Sequence, residues 1–99
     1  MRKSLLQVFG LLIVLSLVLA ACAPAVEEVG GFQIPAVEDG KFNVAMVLLG
    51  PHNDGGWSQA HYEGLVYIEE NVPNTHIAYV ELVPEGADSE QVFRALARK

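Results

Sequence analysis

An α/β fold with a parallel sheet is the expectation for this chain, and three features of the sequence lead to it. Two short β-branched and aliphatic runs occupy residues 41–49 and 77–83, a stretch of helical periodicity follows each, and the connections between them are short. Strand, helix, strand, helix with short loops implies the right-handed parallel crossover of an open sheet.

The first run, KFNVAMVLL, is apolar on both faces and closes at Gly50-Pro51. Strands buried on both sides belong to parallel sheets flanked by helices. Residues 50–56 carry Pro, Asn, Asp and two adjacent glycines, and read as a loop. Over residues 57–71, Trp57, Ala60, Leu65 and Ile68 recur at three- to four-residue spacing with the small Gly64, which predicts a helix with one buried stripe ended by Pro73-Asn74. The second run, IAYVELV, is closed by Pro84-Glu85-Gly86. A second helix is expected to start at a cap on Asp88 or Ser89, with Gln91 three residues after Asp88 in the manner of a capping box. Val92, Phe93 and Leu96 form its expected inner face. Two strands and two helices leave part of such a sheet uncovered, so residues 41–99 read as the first β-α-β-α part of a longer, truncated fold.

The amino end has a different character. Arg2 and Lys3 precede a nearly continuous apolar run from Leu5 to Leu19, followed by Ala20-Ala21-Cys22. These are the charged, apolar and small-residue regions of a secretory signal. As a helix, residues 5–21 span roughly 25 Å against a hydrocarbon core of about 30 Å, which disfavours a permanent transmembrane anchor. Cys22 has no partner for an intramolecular disulfide, because it is the single cysteine of the chain. The sequence Leu19-Ala20-Ala21-Cys22 resembles the lipobox of bacterial lipoproteins. In that class the thiol takes a diacylglycerol with palmitate-type chains, and the signal is cut just before it. The resemblance makes residues 1–21 a signal peptide and Cys22 the lipid attachment point, tying the chain to the extracytoplasmic side of a cell membrane. Multiple acyl chains meet the requirement for stable anchoring. Residues 22–40, rich in Ala, Pro, Gly and Glu, are expected to be a flexible tether reaching up to ~60 Å when extended.

Charge narrows the partners. The 99 residues hold six Lys+Arg and twelve Asp+Glu, a net charge of −6, so phosphate-rich nucleic acid is not an expected partner. Arg2 and Lys3 leave with the signal, so four basic residues face twelve acidic ones and the mature chain carries −8. Such a charge repels anionic ligands and headgroups at long range.

The loop from Gly50 to Ser58 is the richest in chemistry. It lies at the carboxyl end of an expected parallel strand, the edge where open α/β sheets bind ligands. Asp54 can accept from sugar hydroxyls or base N–H groups, and Trp57 offers a flat face for stacking. A plain structural reading stands beside this: Asp54 caps the helix, the glycines allow the turn, and Trp57 is core. Metal binding by His52, Asp54 and His61 lacks a tight ligand spacing. A nucleophilic pair of Ser58 and His61 lacks an orienting acid and an oxyanion loop. His76, Tyr62, Tyr67 and Tyr79 are expected in core or surface roles. Neither enzyme activity nor a metal or cofactor is expected.

The segment VAMVLLGPHNDGGWSQAHYEGL, with AYVELVPEGADSEQVFRAL after it, is similar to the amino-terminal part of the basic membrane protein family of substrate-binding lipoproteins. The likeness covers residues 41–99. It consists of a strand, then G-x-x-x-D-x-x-(W/F), a small-residue helix with E-G-L, and a strand ending in V-P-E-G-A-D. The family serves ABC importers, and its members include receptors for purine nucleosides. The resemblance therefore implies a type I periplasmic-binding fold, of which this chain holds the amino-terminal part. It also implies ABC permease subunits as partners and a nucleoside-like solute as ligand. Ligand contacts fall on Asp54, near the polar atoms, on Trp57, against the base, and on Asn53 and Ser58. Ser58 stands where many members have Asn, a shorter hydroxyl in place of a two-way amide, which implies an altered purine-edge contact. The rival expectations are a ligand-sensing or structural surface lipoprotein, and a non-binding remnant of such a receptor.

Overall fold

The computed structural model describes residues 1–4, 6–8, 10 and 26–99. Residues 2–4, 6–8 and 10 are helical. Most of the expected signal sequence, its expected cleavage site and Cys22, the expected lipid attachment point, lie outside the described residues. Among the described residues, no helix is long and apolar enough to cross a membrane.

Residues 26–99 form a small α/β unit. Strand β1, Glu27–Val29, pairs antiparallel with β2, Phe32–Ile34, in the register Glu27↔Ile34 and Val29↔Phe32. Gly30 and Gly31 connect them with φ of 60° and 86°, the left-handed pair that a two-residue hairpin turn requires. Strand β3, Phe42–Val47, pairs parallel with β4, Thr75–Val80, in a register running from Phe42↔Thr75 to Val47↔Val80. Helix α1, Trp57–Asn71, makes the crossover between them, and α2, Ala87–Ala97, follows β4.

Neighbouring residues of β4 face opposite layers, as strand pleating dictates. Tyr79 meets Tyr62 of α1, with ring centroids 5.1 Å apart. Val80 joins the cluster of Ile34, Val83, Val92 and Ala95, against which Val29, Phe32, Val47 and Leu96 pack. One face of the sheet is thus covered by α1, with Leu48 and Leu65 buried, and the other by α2 together with the hairpin.

Four expectations change. The flexible tether over residues 22–40 is replaced, from Glu27 to Ile34, by the hairpin, and Ile34 is 0% exposed in the core. The adjacent glycines give the chain its reversal, and α2 leaves an apolar face that the hairpin fills. The second strand stops at Val80 instead of reaching residue 83, because Leu82 takes φ 60° and turns the chain. Val83 then hydrogen-bonds back to the Leu48 carbonyl at 3.1 Å. In α1 the inward positions are Ser58 and Leu65, with Tyr62 and Ile68 half-buried, while Trp57 and Ala60 are exposed. Trp57 precedes the buried Ser58 and points about 100° away from it at 3.6 residues per turn, so its ring is left exposed. Finally, α2 is capped by Gly86, at φ 99°, and not by Asp88 or Ser89. The Ser89 hydroxyl donates to the Gly86 carbonyl at 2.8 Å, and Asp88 lies within the first turn, where a carboxylate complements the helix dipole.

The end of α1 follows expectation. Val72 is its C-cap, and Asn74 adopts φ 58° just beyond. Asn74 Nδ2 then donates to the Gly40 carbonyl at 2.9 Å, fastening the start of β4 to the start of β3.

Candidate functional site at the carboxyl edge of the sheet

The loop after β3 is organised by one carboxylate. Helix α1 begins at the N-cap Gly56, which has no side chain to satisfy the first-turn N–H groups. Asp54 reaches over in its place. Its Oδ1 accepts from the backbone N–H of Gly56 at 2.8 Å and of Gln59 at 2.9 Å, and its Oδ2 accepts from that of Ser58 at 3.1 Å. These donors, the Gln59 N–H foremost and that of Gly56 next, hold the Asp54 pKa below the ordinary aspartate range. The carboxylate is thereby engaged as the cap of α1.

Ser58 ties the strand to the same turn. Its Oγ accepts from the Gly50 N–H at 3.0 Å. A Cβ at Gly50 would stand 3.0 Å from that oxygen and 3.4 Å from Asp54 Oδ2, so a larger residue there would have to push the Ser58 side chain back by a few tenths of an ångström. Ser58 is 2% exposed.

Trp57 lies one residue away and is 74% exposed. Its ring rests against that of His61, with centroids 4.4 Å apart and planes tilted by 39°. The His61 Nδ1 lies 2.7 Å from the Trp57 carbonyl, which fixes the histidine over the first turn. Asn53 is exposed on the loop.

Between the first turn of α1 and the start of α2 runs a groove of about 310 Å³. Met46 and Val47 from the end of β3, Leu48 and Leu49 just after it, and Val83 contribute its apolar lining. Trp57, Ser58 and His61 come from α1, and Glu85, Ser89 and Phe93 from the segment opening α2. Of the four residues expected at the site, Trp57 and Ser58 line this groove, Asp54 fastens the turn that carries them, and Asn53 lies outside its lining. A larger and more open depression of about 510 Å³ lies between the hairpin and the end of β4.

A cluster that sequence reasoning did not assemble holds the loop from the other side. The His52 backbone N–H donates to Glu81 Oε2 at 2.8 Å, and its Nδ1 meets the same oxygen at 2.8 Å. The His52 ring packs against Tyr62 at 5.0 Å and Tyr79 at 5.3 Å between centroids. The His52 backbone N–H, and after it the ring, lower the Glu81 pKa, while burial, then the nearby Glu81 charge, raises that of Tyr79. His52 therefore acts as a clamp between the loop and β4. Its partners are distant in sequence, on α1, in β4 and just after it, so no local pattern announces them. Among the described residues, no group of three or more His, Cys, Asp or Glu side chains is placed to hold a metal ion.

Glu85, Ser89 and Phe93 are among the groove residues that the sequence reading missed as site candidates. Phe93 was expected on the inner face of α2, but it is 56% exposed and lines the groove. In a helix with Val92 and Ala95 inward, position 93 lies about 100° away from position 92 at 3.6 residues per turn, a spacing visible in the sequence once the inward residue is known.

Compared with known proteins, the chain matches no family model, and no curated protein matches it significantly.

Proposed function

We propose that this chain is the membrane-anchored solute-binding component of an ABC importer and takes a nucleoside-like ligand. In this reading residues 41–99 are the first part of the amino-terminal lobe of a type I periplasmic-binding fold. Cys22 carries the lipid that holds the protein at the extracytoplasmic membrane surface, and permease subunits receive the ligand. The work is capture and delivery, with no bond made or broken.

One observation carries the ligand assignment. Trp57, Leu49 and Phe93 are 74%, 55% and 56% exposed around one groove at the carboxyl edge of a parallel strand. Contiguous apolar surface of this kind marks a binding site more often than scattered exposure does, and the strand's carboxyl edge is where α/β sheets receive ligands. A flat base can stack on Trp57 while the exposed Asp54 meets polar atoms of the ligand, with Ser58 buried behind the turn that carries both. Asp54 also contributes indirectly, because its cap fixes the turn from which Trp57 projects.

Isothermal titration calorimetry of the full chain against purine and pyrimidine nucleosides tests the reading. Saturable heat with at least one nucleoside is the expected result. Silence across the whole panel would remove the nucleoside and leave the surface-lipoprotein alternative.

A further inference from the structure

The exposed large apolar side chains of residues 26–99 fall into two groups toward opposite ends of the sheet. Leu49, Trp57, Leu82 and Phe93 stand at the carboxyl edge, where all but Leu82 line the groove. Val26, Val37, Phe42, Tyr67 and Val72 stand toward the amino edge and take no part in it. Phe42 opens β3, and its N–H donates at 2.8 Å to the carbonyl of Asn74, two residues past Val72, the C-cap of α1. Tyr67 lies in the last turns of α1, Val37 lies beside Asn43 and His76, and Val26 directly precedes β1.

The chain enters the fold at this same end. Glu27 Oε2 receives the Lys99 ammonium at 2.8 Å, and its Oε1 lies 3.6 Å from the Arg98 guanidinium, so β1 starts against the end of α2. That end of α2 sits by the starts of β3 and β4, because Leu96 and Lys99 share a pocket of about 70 Å³ with Asn43, Val44 and His76. With the hairpin docked, Cys22 is five residues before Glu27, a reach of at most ~18 Å at ~3.6 Å per residue, against ~60 Å for a free tether. Charge separates the two ends as well. Asp54, Glu81, Glu85 and Asp88 stand at the carboxyl edge with no Lys or Arg, whereas Lys41, Arg98 and Lys99 stand at the amino edge among Glu27, Glu38, Asp39, Glu69 and Glu70. Three basic against five acidic residues leave the amino edge slightly acidic, which suits zwitterionic headgroups better than anionic ones.

We propose that the amino edge is a lipid-facing surface, on which Phe42 and Val72 enter the interface of a zwitterionic bilayer while the groove opens away from it, toward the solute. The proposal rests on the membrane anchoring read above at the amino end. Apolar side chains that enter the headgroup region bind in proportion to the area they bury, and an anchored chain needs little affinity of its own because a short tether supplies a high local concentration. The six residues of β3 put roughly 20 Å between the two edges at ~3.3 Å per residue, so the groove stands clear of the lipid.

The full chain reconstituted in phosphatidylcholine vesicles tests this, with one tryptophan at a time as reporter. Trp57 is the single tryptophan of the chain and reports the carboxyl edge. Phe42→Trp and Val72→Trp, each combined with Trp57→Phe, report the amino edge. All three positions are exposed, and circular dichroism checks that each variant keeps its fold. Bromine on the acyl chains quenches tryptophan on contact. Exchanging the lipid for its dibrominated form is expected to quench both amino-edge reporters and to leave the emission of Trp57 unchanged. In chains that float with the vesicles, absence of quenching at position 42 or 72, or quenching of Trp57 as strong as at either, overturns the lipid-facing surface while leaving the anchor standing. Chains that do not float with the vesicles overturn this proposal and the anchoring together.

Discussion

Replacing Ile34 with alanine discriminates most directly between a flexible tether and the docked hairpin. Ile34 is 0% exposed and packs in one cluster with Val80, Val83, Val92 and Ala95. Truncation removes three buried carbons, about 2.4 kcal/mol of transfer free energy at ~0.8 kcal/mol each. Incomplete collapse around the cavity brings the usual range for such changes to about 2–5 kcal/mol, and about 3 kcal/mol is expected here. At ~0.05–0.15 kcal/mol per residue, residues 26–99 hold about 4–11 kcal/mol in total, so the loss is a large fraction of the stability. It corresponds to a fall in Tm of roughly 12–24 °C for a domain of this size. Urea unfolding followed by circular dichroism reads the effect as a lower midpoint at an unchanged slope. Val37→Ala is the control from the same segment, since Val37 is 40% exposed. It is expected to change stability by less than ~0.5 kcal/mol. If the midpoints of the Ile34 and Val37 variants coincide, the hairpin contributes nothing to the core and the account of the second sheet face is wrong.

Three further outcomes follow from the site and the amino end. Trp57→Ala is expected to weaken nucleoside binding by about 1–3 kcal/mol without moving the melt, because the ring is exposed and stacks on the base; unchanged affinity removes Trp57 from the site. Asp54→Asn is expected to destabilise the protein at neutral pH. A carboxyl whose pKa is depressed by folding stabilises above its unfolded pKa, and that contribution fades as pH falls through the depressed value. The gap between wild type and variant in urea titrations should therefore narrow below about pH 4, and a gap of constant size would contradict Asp54 as an ionised cap. Cys22→Ser is expected to abolish incorporation of labelled palmitate and to release the protein from the membrane fraction; retained label would place the lipid elsewhere or exclude it.

The strand-helix-strand-helix order of residues 41–99 is written locally, because each element needs only its own periodicity and its breakers. Helix α1 occupies Trp57–Asn71, as the spacing and Pro73-Asn74 indicate, and β3 lies within its predicted run. The Gly30-Gly31 turn was also open to reading, since two glycines between Val29 and Phe32 are a hairpin signal. What strands of three residues could not reveal is that they are held by something distant. Ile34 is ordered by Val92 and Ala95, and such short strands have no stability of their own.

The same division runs through the site. Residue types fixed that the loop after β3 combines glycines, a carboxylate and a tryptophan, and that the chain is acidic. Only the tertiary structure decided which of them face a ligand. Asp54 turned to the first-turn N–H groups because Gly56 left them uncapped, while Trp57 was left exposed beside the buried Ser58. Glu85, His61 and Phe93 became groove walls because the start of α1, on one face of the sheet, and the segment opening α2, on the other, come together at the same edge, a juxtaposition absent from any local pattern. Local pattern determines elements because helix and strand periods are short-range. It does not determine sites assembled from several elements, because their geometry depends on contacts between residues far apart in the chain.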